Sequence, residues 1–196
     1  MPGALLIRHA EHTLQDVVLA GRSPGIHLSA RGRERARGLG RALKDEGIAA
    51  IQSSPRERCL ETAEDISTAL GIPIQIEAAL DELDFGLWTG AKFAELDDDS
   101  AWRNWNERRS LMRPPGGESM VEAQQRILLH LEETARRGIS GPVAMVTHAE
   151  IVRAALLHAR GLSLDAWGTV PVPPGSFSQL EFAQLGNAAA FRGIAA

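Results

Sequence analysis

Ala4-Leu5-Leu6-Ile7-Arg8-His9 decides how this chain is read. Four consecutive apolar residues suit a short strand buried on both faces, and two strongly polar side chains end it abruptly. The same sequence pattern returns at Val143-Ala144-Met145-Val146-Thr147-His148. Further strand-like runs lie at Ala49 to Ser53, Ile72 to Ile76 and Phe177 to Phe182, bounded by Gly, Pro or polar residues, with a less marked one near Ala189 to Arg192. Helical patterns alternate with these runs. The expected fold class is therefore α/β, a three-layer sandwich with a mostly parallel sheet flanked by helices.

Outward from the strands, Ser29 caps an expected helix that runs to Gly47 and carries Ala36, Leu39 and Leu43 at helical spacing. Ser54-Pro55-Arg56-Glu57 reads as an N-cap serine, a first-turn proline and a capping-box glutamate, which puts Arg58 in the first turn of a second helix. Cys59, Ala63, Ile66 and Leu70 share one face of that helix. Ser119-Met120-Val121-Glu122 is a second capping box; Met120, Ala123, Ile127, Leu131 and Thr134 form the inward stripe behind it. A last long helix follows His148 directly. Between Asp81 and Gly117 the pattern breaks into acidic, Trp-containing and Pro-Pro-Gly-Gly stretches, too long for a simple connection. A partly helical insertion, 81–117, near the active site is expected within one domain spanning 1–196.

At 196 residues and 44% hydrophobic content, the chain can bury a substantial core. Its net charge of −4 gives no general attraction to nucleic acid or anionic membranes, so any anion site must be local. Nineteen arginines against two lysines are scattered and outweighed by 25 acidic residues. Arg33, Arg37 and Arg41 form an i,i+4 stripe expected to be a solvated face, with no interleaved aromatics to bind nucleic acid. The single cysteine, Cys59, makes no intramolecular disulfide, and the N-terminal apolar run is too short for a signal or membrane segment. A cytoplasmic protein with neither membrane nor nucleic-acid partner is expected; oligomeric state is not legible.

In an open α/β sheet, ligands bind beyond the carboxyl ends of the strands. Three points there are unusual: Arg8-His9, Arg58 and His148. Guanidinium forks and helix N-termini both favour phosphate. Arg58 opposes its own helix dipole and is easier to explain beside an anion, although Glu57 and Glu61 can compensate it. A lone His9 would read as an ordinary strand-end histidine; in this company it reads as a nucleophile attacking phosphorus through a neutral ring nitrogen. His148 is then expected to be a charged phosphate ligand. The leaving alkoxide needs a proton from a nearby carboxyl, and spacing does not choose among Asp81, Glu82 and Asp84.

Trp102 and Trp105, at i,i+3 spacing, are expected to anchor the insertion, with substrate contact a secondary role. His130 and His158 read as ordinary helix residues. His27, beside the Pro24-Gly25 turn, is a candidate border of the pocket, and His9-x-x-His12 a minor candidate for a metal pair.

Taken in order, these motifs resemble the histidine phosphatase superfamily, specifically its phosphoglycerate-mutase-like branch, over nearly the whole chain. Arg8-His9-Ala10-Glu11 resembles its Arg-His-Gly-Glu motif, and Ser53 to Ala63 its Ser-x-x-x-Arg-Ala-x-x-Thr-Ala motif. Leu80-Asp81-Glu82 with Gly86, Trp88 and Gly90 resembles the acid loop; Gly116-Gly117-Glu118-Ser119 and Val146-Thr147-His148 resemble the last landmarks. The resemblance implies His9 as the phosphorylated nucleophile, Arg8, Arg58 and His148 as the phosphate pocket, and Glu82 as proton donor. It also implies no metal and no organic cofactor. Ala10 replaces the usual glycine, Gln15 stands where an asparagine often helps hold phosphate, Thr89 replaces a frequent glutamate, and Ala149-Glu150 replaces a common Gly-Gly pair. Gln15 can still donate an amide hydrogen bond to phosphate, and Glu150 weakens attraction for a second negative group.

The implied activity is hydrolysis of a small phosphorylated metabolite. The alternatives are a phosphoglycerate-type mutase, for which the chain is short, and a non-catalytic phosphate-binding regulatory protein on the same fold.

Overall fold

The computed structural model describes residues 3–185 and 188–194. Six strands form one sheet in the order β3-β2-β4-β1-β5-β6: β1 Gly3–Arg8, β2 Ala50–Ser53, β3 Ile74–Ile76, β4 Val143–Thr147, β5 Phe177–Leu185 and β6 Ala188–Ile194. Pairing is parallel from β3 across to β1 and antiparallel at β1–β5 and β5–β6. β1 lies between β4 and β5, so the apolar run that opens the sequence is buried on both faces. Alternation splits it. Leu5 and Ile7 join Leu39, Leu43, Cys59 and Ile66 under α1 (Ala30–Ala42) and α2 (Glu57–Leu70). Ala4 and Leu6 face the other core, built from α5 (Met120–Arg136), α6 (Ala149–Ala159) and the insertion.

Two helix boundaries differ from the sequence reading. α1 stops at Ala42 rather than Gly47, because its last turn tightens into i→i−3 bonds such as Lys44 N–H to the Arg41 carbonyl, and Gly47 closes the turn at positive φ. α2 has Arg56, not Ser54, as N-cap, and no side chain caps it. Ser54 still belongs to the strand ladder through its N–H to Val146, and its hydroxyl is committed to His148. Ser119 does cap α5, with Glu122 completing the capping box, and the expected inward stripe is buried together with His130.

The insertion carries α3 (Phe93–Leu96) and α4 (Ser100–Glu107) after a 3-10 turn at Gly86–Trp88. Trp102 and Trp105 are buried against each other, Phe85 and Trp88, the anchoring role expected of them. The two ends of the insertion touch. Glu118 N–H donates to the Asp84 carbonyl (2.8 Å) and Leu87 N–H to the Pro115 carbonyl (2.9 Å). Gly86 sits at φ +54, where a Cβ would lie 2.1 Å from the Pro115 oxygen, so no side chain fits. Among the described residues, no helix is long and apolar enough to cross a membrane.

Candidate active site

β1 and β4 are parallel neighbours, so their carboxyl ends deliver His9 and His148 side by side, ring centroids 5.3 Å apart. Arg58, in the first turn of α2, lies between them and is 1% exposed. Its Nε donates to His9 Nε2 (3.3 Å), and its Nη2 reaches the Gly21 carbonyl (2.7 Å) and His148 Nδ1 (3.0 Å). Arg8 points its Nη1 at the Val172 carbonyl. Arg8 Nε and Arg58 Nη1 are buried donors without an acceptor among the described residues, as expected where an anion is to sit.

The hydrogen bonds fix both imidazoles. His9 Nδ1–H donates to the Ala10 carbonyl (2.8 Å), which leaves Nε2 as a lone pair facing Arg58. Burial first, then the Arg58 charge, push its pKa well below the ordinary histidine value, so the ring is neutral near pH 7. His148 accepts from Arg58 at Nδ1, so Nε2–H donates to Ser54 Oγ (2.8 Å). Burial first, then Arg58, lower the His148 pKa as well, so the ring is neutral here; the charge expected of it belongs to the ring with a phosphate dianion beside it. The ring is fully buried against Arg58.

Three carboxylates within four residues meet three fates. Asp81 is bound by Arg56 through Nε and Nη2, the shorter contact 2.6 Å. Asp84 accepts the Gly86 N–H and is partly exposed. Glu82 alone faces the cavity; it is 8% exposed, accepts only the Leu83 N–H and pairs with no arginine. Burial first, then the nearby Glu150 charge, raise its pKa to about 7. Its backbone is clamped: Arg22 Nε donates to the Glu82 carbonyl (2.7 Å), and Arg126 Nη1 to those of Ala79 and Asp81. Glu118 joins the two arginines, accepting from both.

A cavity of about 300 Å³ opens over these groups, walled by Arg8, His9, Arg58 and Glu82 and then by Trp102, Trp105, Arg109, Glu150, Arg153 and Trp167. Gln15 is on this wall, its amide nitrogen 2.9 Å from Asp16 Oδ1. His12 lines it too, with Nδ1 accepting the Leu14 N–H. Among the described residues, no group of three or more His, Cys, Asp or Glu is arranged to hold a metal ion. Cys59 lies against His148, but burial pushes its thiol up to about 12, so it stays protonated and is no nucleophile.

One further expectation is corrected. His27 is half exposed on Glu61 and does not border the cavity. Arg33, Arg37 and Arg41 form the exposed face expected, and two of them also reach α2, Arg33 to Glu61 (3.1 Å) and Arg37 to Asp65 (3.8 Å). His130 and His158 are helix residues as read; His130 is buried with Nε2 2.8 Å from Gln52 Oε1, tying α5 to β2, and His158 is exposed. Arg109, Arg153 and Trp167 were not identified from sequence. The i,i+3 pair Glu150 and Arg153 was the available signal.

A mostly parallel sheet whose strand ends gather Arg8, His9 and Arg58 on one small cavity, with Glu82 on its wall and His148 against Arg58, defines an α/β protein with a basic pocket. The chain belongs to the histidine phosphatase superfamily (branch 1), which it matches over residues 4–192. It is similar to phosphoserine phosphatase 1 of Hydrogenobacter thermophilus, at 29% identity over 188 residues, 93% of this chain and 88% of that one. It is also similar to a 2,3-bisphosphoglycerate-dependent phosphoglycerate mutase of Chelativorans sp., at 33% identity over 180 residues, 83% of this chain and 84% of that one. The structure of Bacillus stearothermophilus YhfR superimposes with a TM-score of 0.88 at 26% identity, covering 98% of this chain and 95% of that one.

Proposed function

We propose that the chain is a phosphatase that hydrolyses a small phosphomonoester in the cytoplasm through a phosphohistidine on His9. The observation that carries this reading is the His9 ring: neutral, tautomer fixed by the Ala10 carbonyl, with its Nε2 lone pair beside the Arg58 fork. Arg8 and Arg58 hold the phosphoryl oxygens with the donors that lack protein acceptors, and Gln15 adds an amide donor from the wall. His148 orients Arg58 and can donate to phosphate once a dianion favours its protonated form.

In the first step, Nε2 attacks phosphorus, the ester P–O bond breaks, and the leaving oxygen takes the Glu82 proton. In the second, Glu82 carboxylate accepts a proton from water as the water oxygen attacks phosphorus. The P–N bond breaks, its electron pair returns to Nε2, and phosphate departs with Glu82 protonated again. A carboxyl with a pKa of about 7 serves in both directions near neutrality.

Turnover of an aryl phosphate should be measured for wild type and His9→Ala, together with acid-labile phosphate on the protein. Wild type should turn over and label, and the variant do neither; unchanged turnover in His9→Ala sinks the proposal. Phosphate binding with no label in wild type would instead favour the non-catalytic reading. Assaying phosphate release against isomer formation from 3-phosphoglycerate separates hydrolase from mutase.

A further inference from the structure

The wall beyond the phosphate groups holds a cluster that the two-step reaction does not use. Glu150, the second residue of α6, is buried and bound on one side by Arg109 Nη1 and on the other by Arg153 Nη1 (2.7 Å). Arg109 lies between the faces of Trp105 and Trp167, 4.1 and 3.9 Å from their centroids, so it is held in place with little freedom to swing. Burial works against a charge on Glu150, yet Arg109 and Arg153 outweigh it and keep its carboxyl below the ordinary range. Asp16, further round the same wall, adds a second carboxylate. Arg8 and Arg58 balance a phosphate dianion. The rest of the wall sets two cations against two carboxylates, so no positive charge is left over for a second anionic group.

Resting on the phosphatase reading, we propose that Glu150 is a specificity determinant that restricts the enzyme to phosphomonoesters whose leaving alcohol carries no net negative charge, neutral or zwitterionic. Without Glu150, Arg109 and Arg153 would form a paired-guanidinium site for a carboxylate or second phosphate. With it, such a group meets a charge already neutralised and a carboxylate facing it. Glycerate phosphates and bisphosphates fall outside the accepted class, which sets the chain apart from a mutase working on them. Glu150 shares the cavity wall with Glu82, so its charge also helps keep that carboxyl in its acid form near neutral pH.

The test compares glycerol 1-phosphate with 3-phosphoglycerate, of similar size but differing in a hydroxymethyl against a carboxylate. Wild type should favour the former in kcat/KM by at least about tenfold. Glu150→Gln should narrow that ratio by about tenfold, chiefly through KM for 3-phosphoglycerate, and move the alkaline limb with glycerol 1-phosphate to lower pH. Glu150→Asp should keep both properties. Arg153→Met, which leaves the wall net negative, should widen the ratio; a merely structural cluster would lower both activities together in either variant. Equal or reversed preference in wild type, or ratios unmoved in opposite directions by the variants, overturns the inference while leaving the phosphatase reading intact. No turnover of either ester and no label on His9 would defeat both.

Discussion

At the scale of single residues, the site is decided by which carboxyl is left without a cation. Asp81 is spent on Arg56, Asp84 on a turn amide, and Glu82 is buried with no arginine bound to it. Glu82→Gln should slow hydrolysis of an alkyl phosphate by about 10² to 10⁴ and an aryl phosphate less, since a good leaving group needs less protonation. Because the proposed first step uses the acid form, wild-type activity on alkyl phosphates should fall as pH rises through about 7. The same raised pKa has a stability signature. Protonated Glu82 favours the folded state below its ordinary range, and that contribution is lost as pH rises through about 7. Glu82→Gln should therefore gain stability over wild type between pH 5 and pH 8, on the order of 2 kcal/mol by urea unfolding, while losing activity. His9, Arg8, Arg58 and His148 were legible because strand-end and first-turn positions follow from local pattern. The choice among Asp81, Glu82 and Asp84 was not, because it depends on Arg22, Arg56 and Arg126 arriving from three distant segments. That Arg58 donates to His148 Nδ1 was likewise not legible, because it depends on two side chains 90 residues apart.

At the scale of elements, the acid loop is held between the two ends of the insertion. Gly86 and Gly117 let backbone pass against backbone, and a Cβ on Gly117 would lie 2.3 Å from the Asp84 oxygen. Gly86→Ala should cost at least about 2 kcal/mol and lower kcat, because the strain is relieved only by shifting the segment that carries Glu82. Ser119→Ala, which removes the α5 cap further along the chain, should cost about 1 kcal/mol with kcat little changed. Equal loss of kcat in both variants would show that the loop responds to general destabilisation rather than to its own anchor. The Ser119 box was readable because hydroxyl, amide and glutamate all lie within four residues. Ser54 presents the same local pattern, yet its hydroxyl goes to an imidazole 94 residues away, which no local rule detects.

At the scale of the whole molecule, His9, His12, His130 and His148 all have pKa values lowered by burial, against one carboxyl, Glu82, raised strongly. Their contribution is complete above about pH 6.5 and is lost as pH falls below it, since the unfolded chain takes up protons that the folded one refuses. The melting temperature should drop between about pH 7 and pH 5, and a flat profile would contradict the neutral states assigned to these rings. The α/β class and the insertion were legible in the sequence; the order β3-β2-β4-β1-β5-β6 was not, because pairing partners are set by tertiary packing. That order also bears on how the protein is made. β1 is synthesised before both of its sheet neighbours, which begin at Val143 and Phe177, so its apolar run stays unpaired until they follow. The nascent chain is thus most vulnerable to aggregation or chaperone capture through the strand that leads into His9.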